Sequence, residues 1–321
     1  MPLVTEVKVV RKQVLATNTA LFELAPGPCN RLPTFTAGAH IDVWTPAGHV
    51  RQYSLCGPLS SQGTYQVAVR REMNGRGGSV SMYEGVSEGD VLQISEPKNR
   101  FPLNEDTAFS VLFAAGIGIT PIVVMAERLH DLGKRFVLHY CSREPADAAF
   151  MDRLANSAYV DQVKFHFTHG DSRRRLNMLG VLEQEVAHPL DVYACGPGPF
   201  IQAAKAAAMA VGIPDERFHS EHFGAVSHPA GTDQGFEVYL DRSQRSVWVP
   251  ADQAITQVLK ASGVAVETSC EQGVCGACLT TVLAGTVDHR DLYLTPAEQA
   301  AGTCMLPCCS RAKSDRLVLD L

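Results

Sequence analysis

The residues best suited to carry chemistry in this chain are sulfur. Four of its ten cysteines, Cys29, Cys56, Cys141 and Cys195, are scattered over the first two thirds. The other six, Cys270, Cys275, Cys278, Cys304, Cys308 and Cys309, crowd the end. In a reducing compartment such clustering points to metal ligation rather than disulfides. Cys270-Glu-Gln-Gly-Val-Cys275-Gly-Ala-Cys278 with a later cysteine has the spacing C-x4-C-x2-C…C, which suits four thiolates around a [2Fe–2S] cluster. Gly273 and Gly276 let the loop backbone approach the cluster. Zinc ribbons pair two C-x2-C knuckles, and one is present here. On position alone Cys304, Cys308 and Cys309 compete as fourth ligand.

A second constellation is Arg51-Gln-Tyr53-Ser54. It resembles the R-x-Y-[ST] flavin motif of the ferredoxin–NADP reductase superfamily. The tyrosine can lie against an isoalloxazine ring, the serine hydroxyl can reach flavin N5 or O4, and the arginine can bind a phosphate. A tyrosine on a strand is more often core and an arginine more often solvated, so the motif needs support. Asn74-Gly75-Arg76-Gly77-Gly78-Ser79, before an expected helix over 80–83, supplies it: glycine backbone and a helix start form an anion site. A plain turn is the bland alternative.

A third runs from an apolar strand into Gly116-Ile-Gly118-Ile-Thr120-Pro121. Thr120 suits an N-cap and Pro121 the first helical turn, placing glycines and a helix start where a pyrophosphate can dock. A second strand ends at Cys195-Gly196-Pro197 and again opens into a helix. Two such turns can form the ligand crevice of an open α/β sheet. Cys195 alone reads as a buried hydrophobe; beside Gly196-Pro197 a role at the nicotinamide is expected.

The elements that must position these groups fall into segments. Residues 1–105 show short apolar runs between turns, among them 6–15, 39–44, 65–70 and 90–95, the pattern of a small antiparallel β-barrel or sandwich. Residues 106–223 alternate buried runs (110–115, 136–141, 163–167, 191–195) with helical patterns (121–132, 148–156, 199–210), the signature of a parallel α/β sheet. Residues 224–235 read as a linker. Beyond it, 236–240 and 246–250 form an expected hairpin and 254–262 a helix. The 321 residues are 45% hydrophobic and 19% charged, with a net charge of −6. These values exclude a disordered chain and disfavour a nucleic-acid partner. The segment 1–7 lacks a basic-then-apolar leader, and 109–126 is broken by glycines and proline. A cytoplasmic protein without a membrane partner is therefore expected.

In order, R-x-Y-S, G-R-G-G-S, G-I-G-I-T-P, C-G-P and C-x4-C-x2-C resemble the phthalate dioxygenase reductase family, which includes vanillate O-demethylase reductases. The resemblance covers essentially the whole chain. It implies three domains: an FMN-binding antiparallel β-barrel (1–105), a nicotinamide-binding parallel α/β domain (106–223) and, after the 224–235 linker, an α+β β-grasp plant-type ferredoxin (236–321). It implies a monomeric NADH-dependent oxidoreductase. Electrons pass from NADH to FMN to [2Fe–2S] and on to a terminal oxygenase with a Rieske centre, as in aromatic catabolism. Arg51, Tyr53, Ser54, Gly77, Gly78 and Ser79 are then expected to hold FMN. Gly116, Gly118, Thr120, Cys195, Gly196 and Pro197 are expected to line the nicotinamide site, with Ser54, Thr120 and Cys195 at the reacting centre. Glu221 and Phe223, in Glu-His-Phe, fall where the family has an aromatic near the flavin, though His222 departs from a serine in that pattern. Cys308-Cys-Ser-Arg311 resembles the family's C-x-S-R ending and favours Cys308, with Cys270, Cys275 and Cys278, as ligand; Cys309 is the rival. Arg143 and Arg173-Arg174-Arg175 are candidates for a 2′-phosphate, but the family favours NADH. Other readings are a reductase serving a haem monooxygenase, a soluble carrier or a carnitine-type monooxygenase, and a non-catalytic redox sensor.

Overall fold

A computed structural model describes residues 4–27, 31–59, 63–186, 189–223, 233–268, 270–274 and 276–321. Two compact units emerge, Met1–Glu221 and His222–Leu321.

The first unit opens with short, mostly alternating strands whose inward residues need a common interior. These are β1 (Val4–Ala16), β2 (Thr19–Pro26), β3 (Ala39–Trp44), β4 (Val50–Ser54), β5 (Tyr65–Arg70), β6 (Val91–Ser95) and the short β7 (Lys98–Asn99). They pair antiparallel in the order β4-β3-β6-β1-β2-β5, with β7 beside β3. A bridge from Leu55, just past β4, to Val67 on β5 draws the two outer strands together toward a barrel. Val7, Val9, Phe22, Leu24, Ile41, Val43, Val67, Val69 and Ile94 fill it. Helix α1 (Gly78–Gly85) lies between β5 and β6 in the chain. It is longer than the expected 80–83, so Gly78 and Ser79 sit inside its first turn.

The apolar runs that follow become β8 (Phe109–Ala115), β9 (Arg135–Ser142), β10 (Val163–Phe167), β11 (Asp191–Cys195) and β12 (Phe218–Glu221). All pair parallel, in the order β10-β9-β8-β11-β12. Helices α2 (Ile119–Asp131), α3 (Met151–Ala155), α4 (Met178–Glu185) and α5 (Gly198–Ala210) connect them. The strand order reverses between β8 and β11, and an open α/β sheet binds ligands at such a switch point, beyond the strand C-termini. Both glycine turns, Gly116–Thr120 and Gly196-Pro197, lie there.

Two expectations are corrected. Thr120 does not cap α2: a 3-10 turn at Gly116–Gly118 carries the chain into the helix, Gly118 occupies the N-cap position, and the Thr120 hydroxyl donates to the Ile117 carbonyl at 3.0 Å. The helix expected over 148–156 shrinks to Met151–Ala155, because Phe150 is left-handed (φ 62°) and turns Ala148 and Ala149 into the core.

The barrel and the parallel sheet share one core. Ala16, Leu21, Ala37, Cys56, Ala68 and Phe101 pack in the same apolar cluster as Leu112, Ile119, Ile122, Met125 and Leu138. The geometry between barrel and sheet is therefore set by packing within a single unit.

The second unit consists of β13 (Phe236–Leu240), β14 (Arg245–Val249), α6 (Ile255–Ala261), β15 (Thr280–Ala284), β16 (Val287–Asp288), α7 (Pro296–Ala301), β17 (Cys304–Met305), β18 (Arg311–Ala312) and β19 (Arg316–Leu319). The expected hairpin is β13–β14. The main sheet runs β14-β13-β19-β15-β17, with β13 and β19 parallel; β16 and β18 form a separate pair. Ile255, Val258 and Leu259 of α6 close the core over Val238, Leu317 and Leu319. A helix on one face of a mixed sheet is the α+β arrangement expected for this segment. Of the expected linker, residues 224–232 lie outside the described residues; 233–235 are described.

Candidate functional site

Strand β4 presents alternate residues to one side, so Arg51 and Tyr53 share a face, and His49 immediately precedes the strand. The Arg51 side chain lies over the start of α1: a Cβ built on Gly78 would fall 2.5 Å from Arg51 Nε. Gly77 is left-handed (φ 79°), a conformation glycine adopts without steric cost. A Cβ there would lie 3.4 Å from His49 Nε2. Ser79 Oγ accepts from the Glu72 amide at 3.1 Å and pins the loop to the helix. At the far end of α1, Lys12 Nζ donates to the Tyr83 and Val86 carbonyls at 2.6 and 2.7 Å, where a cation complements the helix dipole. Amide groups, a guanidinium and an imidazole thus surround the beginning of an eight-residue helix. The Tyr53 hydroxyl is buried with no hydrogen-bond partner among the described residues, and burial raises its pKa. A flat ring system with a phosphate tail fits this cradle. Sequence reasoning missed His49 and Lys12; the two-residue step from His49 to Arg51 was the available signal for the former.

Ser54 ends β4 and is buried. Its hydroxyl donates to Glu221 Oε2 at 3.2 Å. Glu221 is the last residue of β12 and pairs with Cys195, the last residue of β11, which pairs in turn with Ala114 on β8. Register thus brings Ser54, Cys195 and Glu221 together from segments far apart in the chain. Cys195 is fully buried, and burial, reinforced by Glu221, holds its thiol protonated. Desolvation pushes the Glu221 carboxyl from 4.5 up to about 8, with the Ser54 hydroxyl pulling the other way. Gly118 meets the β11 turn backbone to backbone: a Cβ on it would lie 2.5 Å from the Cys195 carbonyl carbon and 2.8 Å from the Gly196 nitrogen. A Cβ on Gly196 would fall 2.8 Å from the Ala115 Cβ. Pro197 caps α5 in extended conformation. Phe223 falls in the second unit and is exposed. Arg173 pairs with Asp171 while remaining largely exposed, the ordinary behaviour of a solvated charge.

Glu221 makes stability depend on pH in a definite direction. The folded state holds its proton more tightly than the unfolded chain. Its contribution is therefore complete below about pH 4.5 and is lost as pH rises through about 8. Glu221→Gln should flatten the melting temperature of the flavin-free protein across that window. Parallel pH profiles for the two proteins would overturn the assignment.

In the second unit Cys270, Cys278 and Cys308 are buried; Cys275 lies outside the described residues. Left-handed backbone at Glu271, Gly273 and Gly276 (φ 53°, 74° and 68°) curls the loop. The Gln272 amide donates to Cys270 Sγ at 3.3 Å. Hydrogen bonds with Cys278, with Cys309 and from the Gly273 amide favour the Cys308 thiolate and lower its pKa. Cys309 is pushed the opposite way; its thiol is 3.7 Å from the Leu306 carbonyl and 3.8 Å from Ser310 Oγ. Cys304 sits on β17 and pairs with Thr281. Among the described residues no three acidic, histidine or cysteine side chains converge as a single ion requires. Amide donors aimed at sulfur are what a thiolate-held cluster needs.

The residues after Cys308 brace this loop. Ser310 Oγ accepts from the Arg290 amide at 3.1 Å and donates to buried Asp291 at 3.3 Å. Arg311, also buried, donates to the carbonyls of Gln253, Pro250 and Gln234. The C-x-S-R ending thus combines a cysteine ligand candidate with two side chains that tie it to neighbouring segments.

Residues 238–313 match the family model described as a 2Fe-2S iron-sulfur cluster binding domain. A vanillate O-demethylase oxidoreductase from Pseudomonas sp. (strain HR199 / DSM 7063) is 43% identical, over 98% of this chain and 99% of that protein. The chain belongs to this family of oxidoreductases. The solved structure of a phthalate dioxygenase reductase, titled a modular structure for electron transfer from pyridine nucleotides to [2Fe-2S], is 39% identical. It matches with a TM-score of 0.80 over 99% of this chain and 98% of its own. An intact type IV self-sufficient cytochrome P450 monooxygenase is 37% identical, with a TM-score of 0.81 over 99% of this chain and 41% of its own. The reductase fold therefore spans the whole chain. No helix among the described residues of this family member is long and apolar enough to cross a membrane.

Proposed function

We propose that this protein is the NADH-dependent reductase component of a Rieske-type oxygenase and works in the cytoplasm as a monomer. Residues 1–105 hold FMN, 106–223 bind NADH, and the ferredoxin segment 236–321 carries a [2Fe–2S] cluster on Cys270, Cys275, Cys278 and Cys308. FMN supplies the conversion of a two-electron hydride delivery into the single electrons that an iron–sulfur cluster accepts.

The observation that carries this reading is the meeting of Ser54, Cys195 and Glu221 at the switch point of the parallel sheet. Arg51, His49 and the amides of Gly78 and Ser79 bind the flavin phosphate, and Tyr53 offers its buried hydroxyl and ring. The Gly116–Gly118 turn and the start of α2 receive the dinucleotide pyrophosphate. Glu221 is protonated through much of the neutral range; with the Ser54 hydroxyl it forms a two-member proton reserve. Cys195 stays a neutral thiol and fills the floor without competing as a nucleophile. The Gln272 and Gly273 amides hold negative charge on Cys270 and Cys308.

The test is low-temperature EPR of the anaerobic holoprotein after adding NADH. A rhombic [2Fe–2S] signal is the expected result. A signal that needs dithionite overturns the wiring from NADH. A second reading, delivery to a haem monooxygenase, is favoured by the likeness to a self-sufficient P450 chain. Turnover with a purified Rieske oxygenase but not with a P450 haem domain separates the two.

A further inference from the structure

We propose that Arg153 is a positioning residue for hydride transfer, fixing the flavin-bearing rim of the barrel against the helix that opens the nicotinamide site. The inference rests on the reading above and assigns a role to a residue remote from both glycine turns.

Arg153 lies on α3, a helix of five residues that follows left-handed Phe150. Its guanidinium makes three hydrogen bonds to two other parts of the same unit. Nε and Nη2 fork onto Glu127 Oε1 and Oε2, each at 2.7 Å. Nη1 donates to the Cys56 carbonyl at 2.6 Å. The plane lies over the Phe150 ring, 5.5 Å from its centroid. Both charged side chains are about three-quarters buried, at 23% and 24% relative exposure.

Each partner leads to the candidate reaction centre. Cys56 is two residues beyond Ser54, and its backbone is itself held: its amide donates to the Gln66 carbonyl on β5 at 2.9 Å. Glu127 is on α2, the helix whose N-cap is Gly118 and whose first turn holds Thr120. A straight helix transmits position along its length, about 1.5 Å per residue. The guanidinium therefore ties the end of β4, α2 and α3 together.

The shared apolar core presses these elements together, but apolar burial is non-directional. A bidentate charged fork adds orientation. Hydride transfer needs that orientation, because reacting atoms must come within about 3–3.5 Å and a displacement of about 1 Å costs on the order of a hundredfold in rate. Arg153 thus links Cys56, two residues beyond the flavin strand, to α2 through one charged group with a fixed geometry. The pair sits away from Ser54 and Gly118 themselves, so its effect on chemistry is indirect.

Arg153→Lys and Glu127→Gln test this, each in full-length holoprotein. Lysine keeps the charge but cannot reproduce the fork; glutamine keeps the shape and one acceptor. Four quantities are measured: FMN content, the NADH dissociation constant, the anaerobic rate of flavin bleaching at saturating NADH, and the long-wavelength charge-transfer absorbance of the nicotinamide–flavin complex. The expected result is FMN content and NADH affinity within about twofold of the parent, a bleaching rate about tenfold or more lower, and a weakened charge-transfer band. The double variant should lose little more than either single variant, as coupled partners do. A variant that melts earlier yet keeps the parental rate and band would overturn the proposal and leave a structural ion pair. Failure of the parent itself to bleach with NADH would overturn the functional reading instead, and this inference with it.

Discussion

Cys308→Ser should yield a yellow protein without a cluster. Iron and acid-labile sulfide are expected to fall from about two of each per chain to near zero, with loss of the visible iron–sulfur absorbance. NADH should still bleach the flavin, because the residues proposed to hold flavin and nicotinamide, Phe223 excepted, lie in the other unit. Cytochrome c reduction through the cluster should disappear. The neighbouring Cys309→Ser should keep its iron. The asymmetry follows from the geometry around two adjacent sulfurs. Cys308 is buried among donors: Cys278, Cys309 and the Gly273 amide all favour its thiolate. Cys309 is less buried and its thiol faces the Leu306 carbonyl and Ser310 Oγ instead, and serine preserves a hydrogen-bond donor there. Iron in Cys309→Ser falling to zero, with Cys308→Ser still loaded, would transfer the fourth ligand to Cys309.

Gly118→Ala should give the largest loss in the flavin half-reaction. The added Cβ would stand 2.5 Å from the Cys195 carbonyl carbon and 2.8 Å from the Gly196 nitrogen, both backbone atoms that cannot rotate away. The turn after β8 and the turn after β11 must separate by about an ångström to accept it. That is the order of displacement that costs about a hundredfold in a hydride transfer. The two strands themselves stay paired over Asp191–Cys195 and Ser110–Ala114, so the fold should survive with a modest fall in melting temperature. Stopped-flow bleaching at saturating NADH checks the rate, and FMN content checks that the barrel is intact. A rate within threefold of the parent would mean that the two turns do not form the nicotinamide crevice.

Much of this organisation was written locally. Cys270, Cys275 and Cys278 declare themselves by spacing because one short loop must present three thiolates. Short strands in 1–105 and buried runs in 106–223 separate an antiparallel from a parallel sheet by their own periodicity. Strands such as Ala39–Trp44, Tyr65–Arg70, Val163–Phe167 and Asp191–Cys195 fall where the apolar pattern puts them. Helix starts were less legible. Thr120 has the chemistry of an N-cap, yet the 3-10 turn at Gly116–Gly118 moves the cap and turns the hydroxyl inward to Ile117. Phe150 broke the helical pattern of 148–156 through a left-handed backbone that no composition signal announces.

Which residues could do chemistry, the order of the segments that carry them and the thiolate spacing are legible along the chain, because they depend on neighbours in sequence. Which distant groups meet is set by packing. The family resemblance marks Glu221 only by its place near the flavin; parallel pairing is what sets it beside Cys195, and a hydrogen bond ties it to Ser54. Its proton is held by the desolvation that this meeting creates. Arg153 likewise reads as a solvated helix charge until Glu127 and the Cys56 carbonyl close around it. Long-range register, burial and backbone contact are properties of the packed chain, and proton affinity and alignment at the reaction centre follow from them.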